Sequence, residues 1–228
     1  MKVVLPDVDA VIFDMDGLVL DTETTYFIAW QQAAAQMGYV LPDAFCESLS
    51  GLHFQQVSDM ILAYCGHAFS LDHFNQMSGK IWRDYVSHHG IPVKNGFFNL
   101  LDVITQFNLP FCLATNSLRA NALECLDLAG LNAIFTTLVT REMCVNPKPA
   151  PDLFIKASEL LTVPIGRCLI LEDSFSGVMA AVQAGGITGY VPSQVAPDKR
   201  AEFLADFKAT DLEDVSRMLA YKVTTRPL

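Results

Sequence analysis

Apolar residues along the chain follow two different periods. From about residue 92 onward, short unbroken apolar runs alternate with stretches whose apolar positions recur every three to four residues. The runs at 110–114, 134–139, 168–171 and 188–191 predict strands buried on both faces, as in a parallel sheet, and a further short strand is expected near Phe207. The stretches at 97–107, 118–129, 152–161, 177–184 and 212–220 predict helices. An isolated run, Val11-Ile12-Phe13, predicts one more buried strand near the start. Between residues 22 and 90 the helical period alone appears, over 22–37, 42–49, 54–65 and 71–88. Strand–helix alternation means βαβ units. The expected architecture is therefore α/β: a parallel-sheet core of residues 1–16 and 92–228, interrupted by an all-helical cap of residues 17–91 with a hinge over 90–96.

Composition narrows the functional classes. Hydrophobic residues make up 51% and charged residues 18%, a globular balance. The net charge of −10 leaves no basic stripe to neutralise phosphates, so nucleic acid is not an expected partner. No apolar run reaches the roughly 18 residues of a membrane span, and no signal-peptide core precedes the first acidic residues. The expected location is cytoplasmic, with no membrane partner. Six scattered cysteines form no C-x-x-C pair and are expected to be free thiols.

Chemistry is predicted where strands end. The first strand runs into Asp14-Met15-Asp16-Gly17, the second into Thr115-Asn116-Ser117 and a later one into Glu172-Asp173-Ser174. The loop Asn146-Pro147-Lys148-Pro149 supplies a cation. In a parallel α/β sheet such ends converge on one crevice. Asp14 and Asp16 are two apart and project to one side if the chain stays extended. Two close carboxylates need a cation or proton between them. Asp14 has the chemistry of a nucleophile that forms an acyl phosphate, and Asp16 that of a general acid and base. Thr115, with Asn116 beside it, and Lys148 form the expected phosphate-binding set. Asp14 with Asp173 suits a hard divalent cation. Structural roles compete at several positions. Thr115 and Ser117 are potential helix caps, and Asp152 is expected to be the N-cap of the helix that follows it.

The ordered set Asp14-Met15-Asp16-Gly17, Thr115, Lys148-Pro149 and Glu172-Asp173 resembles the haloacid dehalogenase superfamily. The likeness is to its phosphatases and phosphomutases, which carry a small helical cap after the first motif. The resemblance implies a Rossmann-like doubly wound core and Mg2+ as cofactor. It implies that Asp14 becomes an aspartyl phosphate, and that Asp16 protonates the leaving group and then activates water. Metal ligands would be Asp14, the Asp16 carbonyl and Asp173, with Glu172 reaching the ion directly or through water. The superfamily's dehalogenating members lack the second aspartate, so Asp16 favours phosphate chemistry.

The expected activity is hydrolysis of a small phosphorylated metabolite, a sugar phosphate foremost, by a monomer or weak homodimer. Glu23 and His53 are the cap residues expected to read the substrate. The alternative is a β-phosphoglucomutase-like phosphomutase. The mutases that resemble this chain carry a histidine and an arginine where Tyr26 and Phe54 stand, which disfavours that reading. A phospho-accepting signalling module is a further alternative, but such modules are far shorter and lack the segment 17–91.

Overall fold

The structure, a computed structural model, describes residues 5–52, 54–193 and 197–224. In chain order the elements are β1 (Ala10–Phe13), α1 (Thr22–Gln36), α2 (Asp43–Glu47), α3 (Phe54–Cys65), α4 (Leu71–His89), α5 (Phe97–Gln106), β2 (Phe111–Ala114) and α6 (Arg119–Leu128). There follow β3 (Leu138–Val139), α7 (Asp152–Leu161), β4 (Cys168–Glu172), α8 (Phe175–Ala184), β5 (Ile187–Tyr190), α9 (Lys199–Leu204), β6 (Phe207–Lys208) and α10 (Leu212–Thr224). They divide into two compact units, one formed by the chain through Leu20 and from Val93 onward, the other by Asp21–Pro92.

All six strands are parallel, in the order β3-β2-β1-β4-β5-β6. Strand order reverses at β1, which pairs with β2 through Phe13↔Leu113 and with β4 through Phe13↔Leu171. Both faces are covered, as a doubly wound sheet requires. Ala10 and Ile12 of β1 and Cys168 and Ile170 of β4 pack with Leu153 and Phe154 of α7 and Ala180 and Ala181 of α8. The period of two sends Phe13 to the other face, where its ring meets Phe97 of α5 at 5.8 Å and Phe135 at 6.0 Å. Helix α10 packs against α5. The α/β core and parallel sheet expected from the apolar runs are present.

Two local differences have physical causes. The strand predicted over 134–139 shrinks to Leu138–Val139. Ile134 closes a turn onto Leu131, and Phe135 turns its ring into the aromatic cluster with Phe13, Phe97 and Phe111. Helix α9 was not predicted: Ala201 is its buried residue, Phe203 is 88% exposed, and Asp198 caps its first turn.

The unit Asp21–Pro92 holds α1 to α4, with Ala33, Leu41, Leu49, Ile61, Phe69 and Phe74 in its interior. Trp82 donates its ring N–H to the buried Thr25 hydroxyl at 2.9 Å. Residues 17–20 stay with the sheet unit: Gly17 N–H donates to Leu20 O, and Leu20 pairs with Val93. No helix among the described residues is long and apolar enough to cross a membrane. All six cysteines are free.

Candidate active site

At the carboxyl ends of the central strands the backbone stops pairing and side chains take over. Asp14 follows β1, with its N–H on Leu171 O at 3.1 Å. Thr115 follows β2, with its N–H on Val139 O at 3.0 Å. Glu172 is the last residue of β4, and Asp173 is next. This is the switch point of the sheet, where open α/β folds place ligands.

Lys148 binds the set together. Its ammonium donates to the Asp14 carboxylate, to Glu172 Oε1 at 2.6 Å and to Ala114 O at 2.8 Å, and it sits 4.8 Å from the centre of the Phe154 ring. Glu172 is fully buried. Its other oxygen accepts from the Asp173 and Ser174 N–H groups and the Ser174 hydroxyl. Burial works against the lysine's charge, but the Asp14 and Glu172 carboxylates outweigh it and hold Lys148 above the usual lysine range. Burial pushes the Asp14 carboxyl well above its ordinary value; Lys148 opposes this, while Glu172 and Asp16 add to it. Asp14, Glu172 and Asp173 bring carboxylate oxygens within 4.8 Å of one another. Three buried carboxylates thus lie together with one ammonium, which bonds two of them, so the cluster holds more acidic than basic groups. An all-oxygen donor set of this kind fits a hard divalent cation.

Two glycines make the cluster possible. Gly17 has φ +81°, and a Cβ there would lie 2.1 Å from Asp173 Oδ2. A Cβ on Gly177 would lie 1.8 Å from the Glu172 carboxyl carbon.

Other predicted residues are placed as follows. Thr115 is buried, and its hydroxyl oxygen accepts from Ser117 N–H at 3.0 Å. Asn116 brackets the main chain of Lys148: its Oδ1 accepts from Lys148 N–H at 2.9 Å and its Nδ2 donates to Lys148 O at 3.3 Å. Its amide is thus committed to the loop that carries the lysine. Asp16 accepts from the Ser117 hydroxyl at 2.9 Å. Ser117 caps no helix; the N-cap of α6 is Leu118. Asp152 is not the N-cap of α7 either. It lies in the first turn after Pro151 and accepts from Asn146 N–H and Nδ2. Glu23, in the helical unit, accepts from Gly51 N–H at 2.9 Å. His53 lies outside the described residues. The contacts of Asn116 and Ser117 span 32 and 101 residues, and no local sequence signal announces them.

A doubly wound sheet with a buried carboxylate–lysine cluster at its switch point is the arrangement of an α/β enzyme site, and the comparisons with known proteins say of which family. The family model described as haloacid dehalogenase-like hydrolase matches residues 11–190. A probable pseudouridine-5'-phosphatase of Drosophila melanogaster is 32% identical, over 90% of this chain and 94% of that protein. A β-phosphoglucomutase of Bacillus subtilis is 28% identical over 77% and 80%. The crystal structure of a HAD family hydrolase from Deinococcus radiodurans R1, with bound phosphate and sodium, superposes with a TM-score of 0.80 at 24% identity, covering 97% of this chain and 99% of that one. The chain belongs to the haloacid dehalogenase-like hydrolase family.

Proposed function

We propose that the chain is a Mg2+-dependent phosphomonoester hydrolase that acts on a small phosphorylated metabolite, a sugar phosphate foremost, through an aspartyl phosphate on Asp14. The observation that carries this reading is the buried cluster in which Lys148 bridges Asp14 and Glu172 beside Asp173. Such a cluster costs several kcal/mol in desolvation, and apolar side chains of similar volume would serve packing at least as well. The names of the phosphatase and mutase relatives support phosphate on a sugar as the reacting group.

In this reading Mg2+ would be held by Asp14, the Asp16 carbonyl and Asp173, with Glu172 in reach. When bound it supplies positive charge against the phosphoryl oxygens. Lys148 and the Thr115 hydroxyl hold those oxygens from the protein side. An oxygen of Asp14 attacks phosphorus, and the ester P–O bond breaks. Asp16 gives its proton to the departing oxygen. Asp16 then takes a proton from water, and the water oxygen attacks the aspartyl phosphate. The bond to Asp14 breaks and orthophosphate leaves. Asn116 acts here through the Lys148 main chain that its amide brackets. A mutase would need a second phosphate clamp. At one of the two positions where the resembling mutases carry it, the Tyr26 ring is stacked on Trp30 and Trp82.

The test is phosphate release from a panel of hexose phosphates, deoxy-sugar phosphates, phosphoglycolate and nucleotides, with a bisphosphorylated sugar included, in Mg2+ and in excess chelator. Orthophosphate released from sugar phosphates and abolished by chelation is the expected result. Metal-independent turnover would refute the site assignment, and phosphoryl transfer between sugar positions without release would establish the mutase.

A further inference from the structure

We propose that Ser117 is a positioning residue for Asp16, and that its hydroxyl holds the Asp16 carboxylate in the orientation from which it protonates the leaving oxygen. The proposal rests on the reading of Asp16 as the general acid.

The geometry is a three-point mount. Ser117 N–H donates to Thr115 Oγ1 at 3.0 Å, and Ser117 O accepts from Arg141 N–H at 3.2 Å. With both main-chain groups fixed, the hydroxyl donates to Asp16 Oδ2 at 2.9 Å. Ser117 is half-buried and begins no helix, so the hydroxyl is not needed as a cap. Asp16 is half-buried on the loop that leaves β1. Thr115 and Asp16 therefore meet on one serine: the residue read as a phosphate ligand fixes Ser117, and Ser117 fixes the acid. A neutral donor suits this task, because it orients the carboxylate in either protonation state without adding charge. Misplacement of a reacting group by about 1 Å can cost roughly 10²-fold in rate.

The experiment compares wild type, Ser117→Ala, Ser117→Cys and Ser117→Thr in Mg2+, on a sugar phosphate that the wild type turns over and on p-nitrophenyl phosphate. The quantity read is kcat/KM. It reports steps up to departure of the leaving group, so hydrolysis of the aspartyl phosphate does not enter. A sugar alkoxide needs the proton of Asp16, whereas p-nitrophenolate leaves as a stable anion. The expected result for Ser117→Ala and Ser117→Cys is a kcat/KM about 10²-fold lower on the sugar phosphate, a much smaller loss on p-nitrophenyl phosphate, and an unchanged melting temperature. Ser117→Thr keeps the donor and restores most of the sugar phosphate rate. Equal losses on both substrates, no loss on either, or a Thr variant no better than Ala would each overturn the proposal while leaving the hydrolase reading intact. A wild type inactive on every phosphoester would overturn both.

Discussion

The sheet unit and the helical unit both bury hydroxyls, but among the described residues only the sheet unit buries charge. Among the described residues the buried charged side chains are Asp14, Lys148, Glu172 and Asp173, and all four belong to the sheet unit at one place. The buried polar side chains of the helical unit are hydroxyls alone: Thr22, Thr25, Ser58 and Ser78. Thr25 donates to Thr22 O, Ser78 to Asn75 O, and Trp82 to Thr25, so hydroxyls near to hand meet the needs of packing. Its aromatic rings stack on one another, as Phe45 does on Tyr64. A buried hydroxyl with a neighbour costs little, whereas a buried charge is retained only where something compensates for it. The difference separates a region built for chemistry from a region built for packing.

The largest effect expected from this contrast comes from one isosteric change. Asp14→Asn removes the nucleophile and one of the two carboxylates bonded to the Lys148 ammonium, in a cluster that also holds Asp173. Turnover of an aryl phosphate should fall by at least about 10⁴-fold. The metal-free protein should melt no lower than wild type, since the change removes negative charge from a cluster with too much of it. Surviving activity, measured by phosphate release, would move the nucleophile elsewhere. A lower melting temperature would mean that Asp14 is structural.

The same contrast explains what could be read from the chain. Buried strands announce themselves by composition, and β1, β2 and β4 lie where the apolar runs stand. Helices α3 and α7 match their predicted spans because their apolar period is clear. Asp14 and Asp173 stood out because charges at strand ends have few packing roles, and Lys148 because it is a cation held between two prolines; the structure gathers all three. What remained hidden depends on loops that meet only in the fold. The Asn116 bracket and the Ser117 contact join segments 32 and 101 residues apart. Asp152 looked like a cap because it precedes a helix, yet the loop N–H of Asn146 competes for its carboxylate. In the helical unit, packing and recognition use the same aromatic and polar residue types; Glu23, expected to read the substrate, accepts from Gly51 N–H through one oxygen.

A glycine substitution carries the comparison into stability. Gly177 lies in the first turn of α8, where alanine would by helix propensity gain up to about 1 kcal/mol. Against that, a Cβ would sit 1.8 to 2.0 Å from the carboxyl atoms of Glu172, which has no room to retreat. The clash wins: Gly177→Ala should destabilise by about 1–3 kcal/mol, as overpacking does. It should also reduce turnover by displacing Glu172 from Lys148. Thermal unfolding and phosphate release measured on one sample check both, and a variant of wild-type stability would mean that the Glu172 side chain is less fixed than its contacts imply.

The smallest effect is the same substitution in the other unit, and it has the opposite sign. Gly79 lies within α4, and the nearest atom a Cβ would meet is Arg83 Nη1 at 3.7 Å, an ordinary contact at the end of a flexible side chain. Nothing there resists alanine, and the backbone freedom that glycine adds to the unfolded chain is lost. Gly79→Ala should therefore stabilise by about 0.5–1 kcal/mol and leave hydrolysis of p-nitrophenyl phosphate unchanged. The check is the urea midpoint at constant slope, read beside that of Gly177→Ala. If both variants were destabilised alike, tight packing would extend to α4, and the distinction between a unit fixed around its charges and a unit with ordinary helical tolerance would fail.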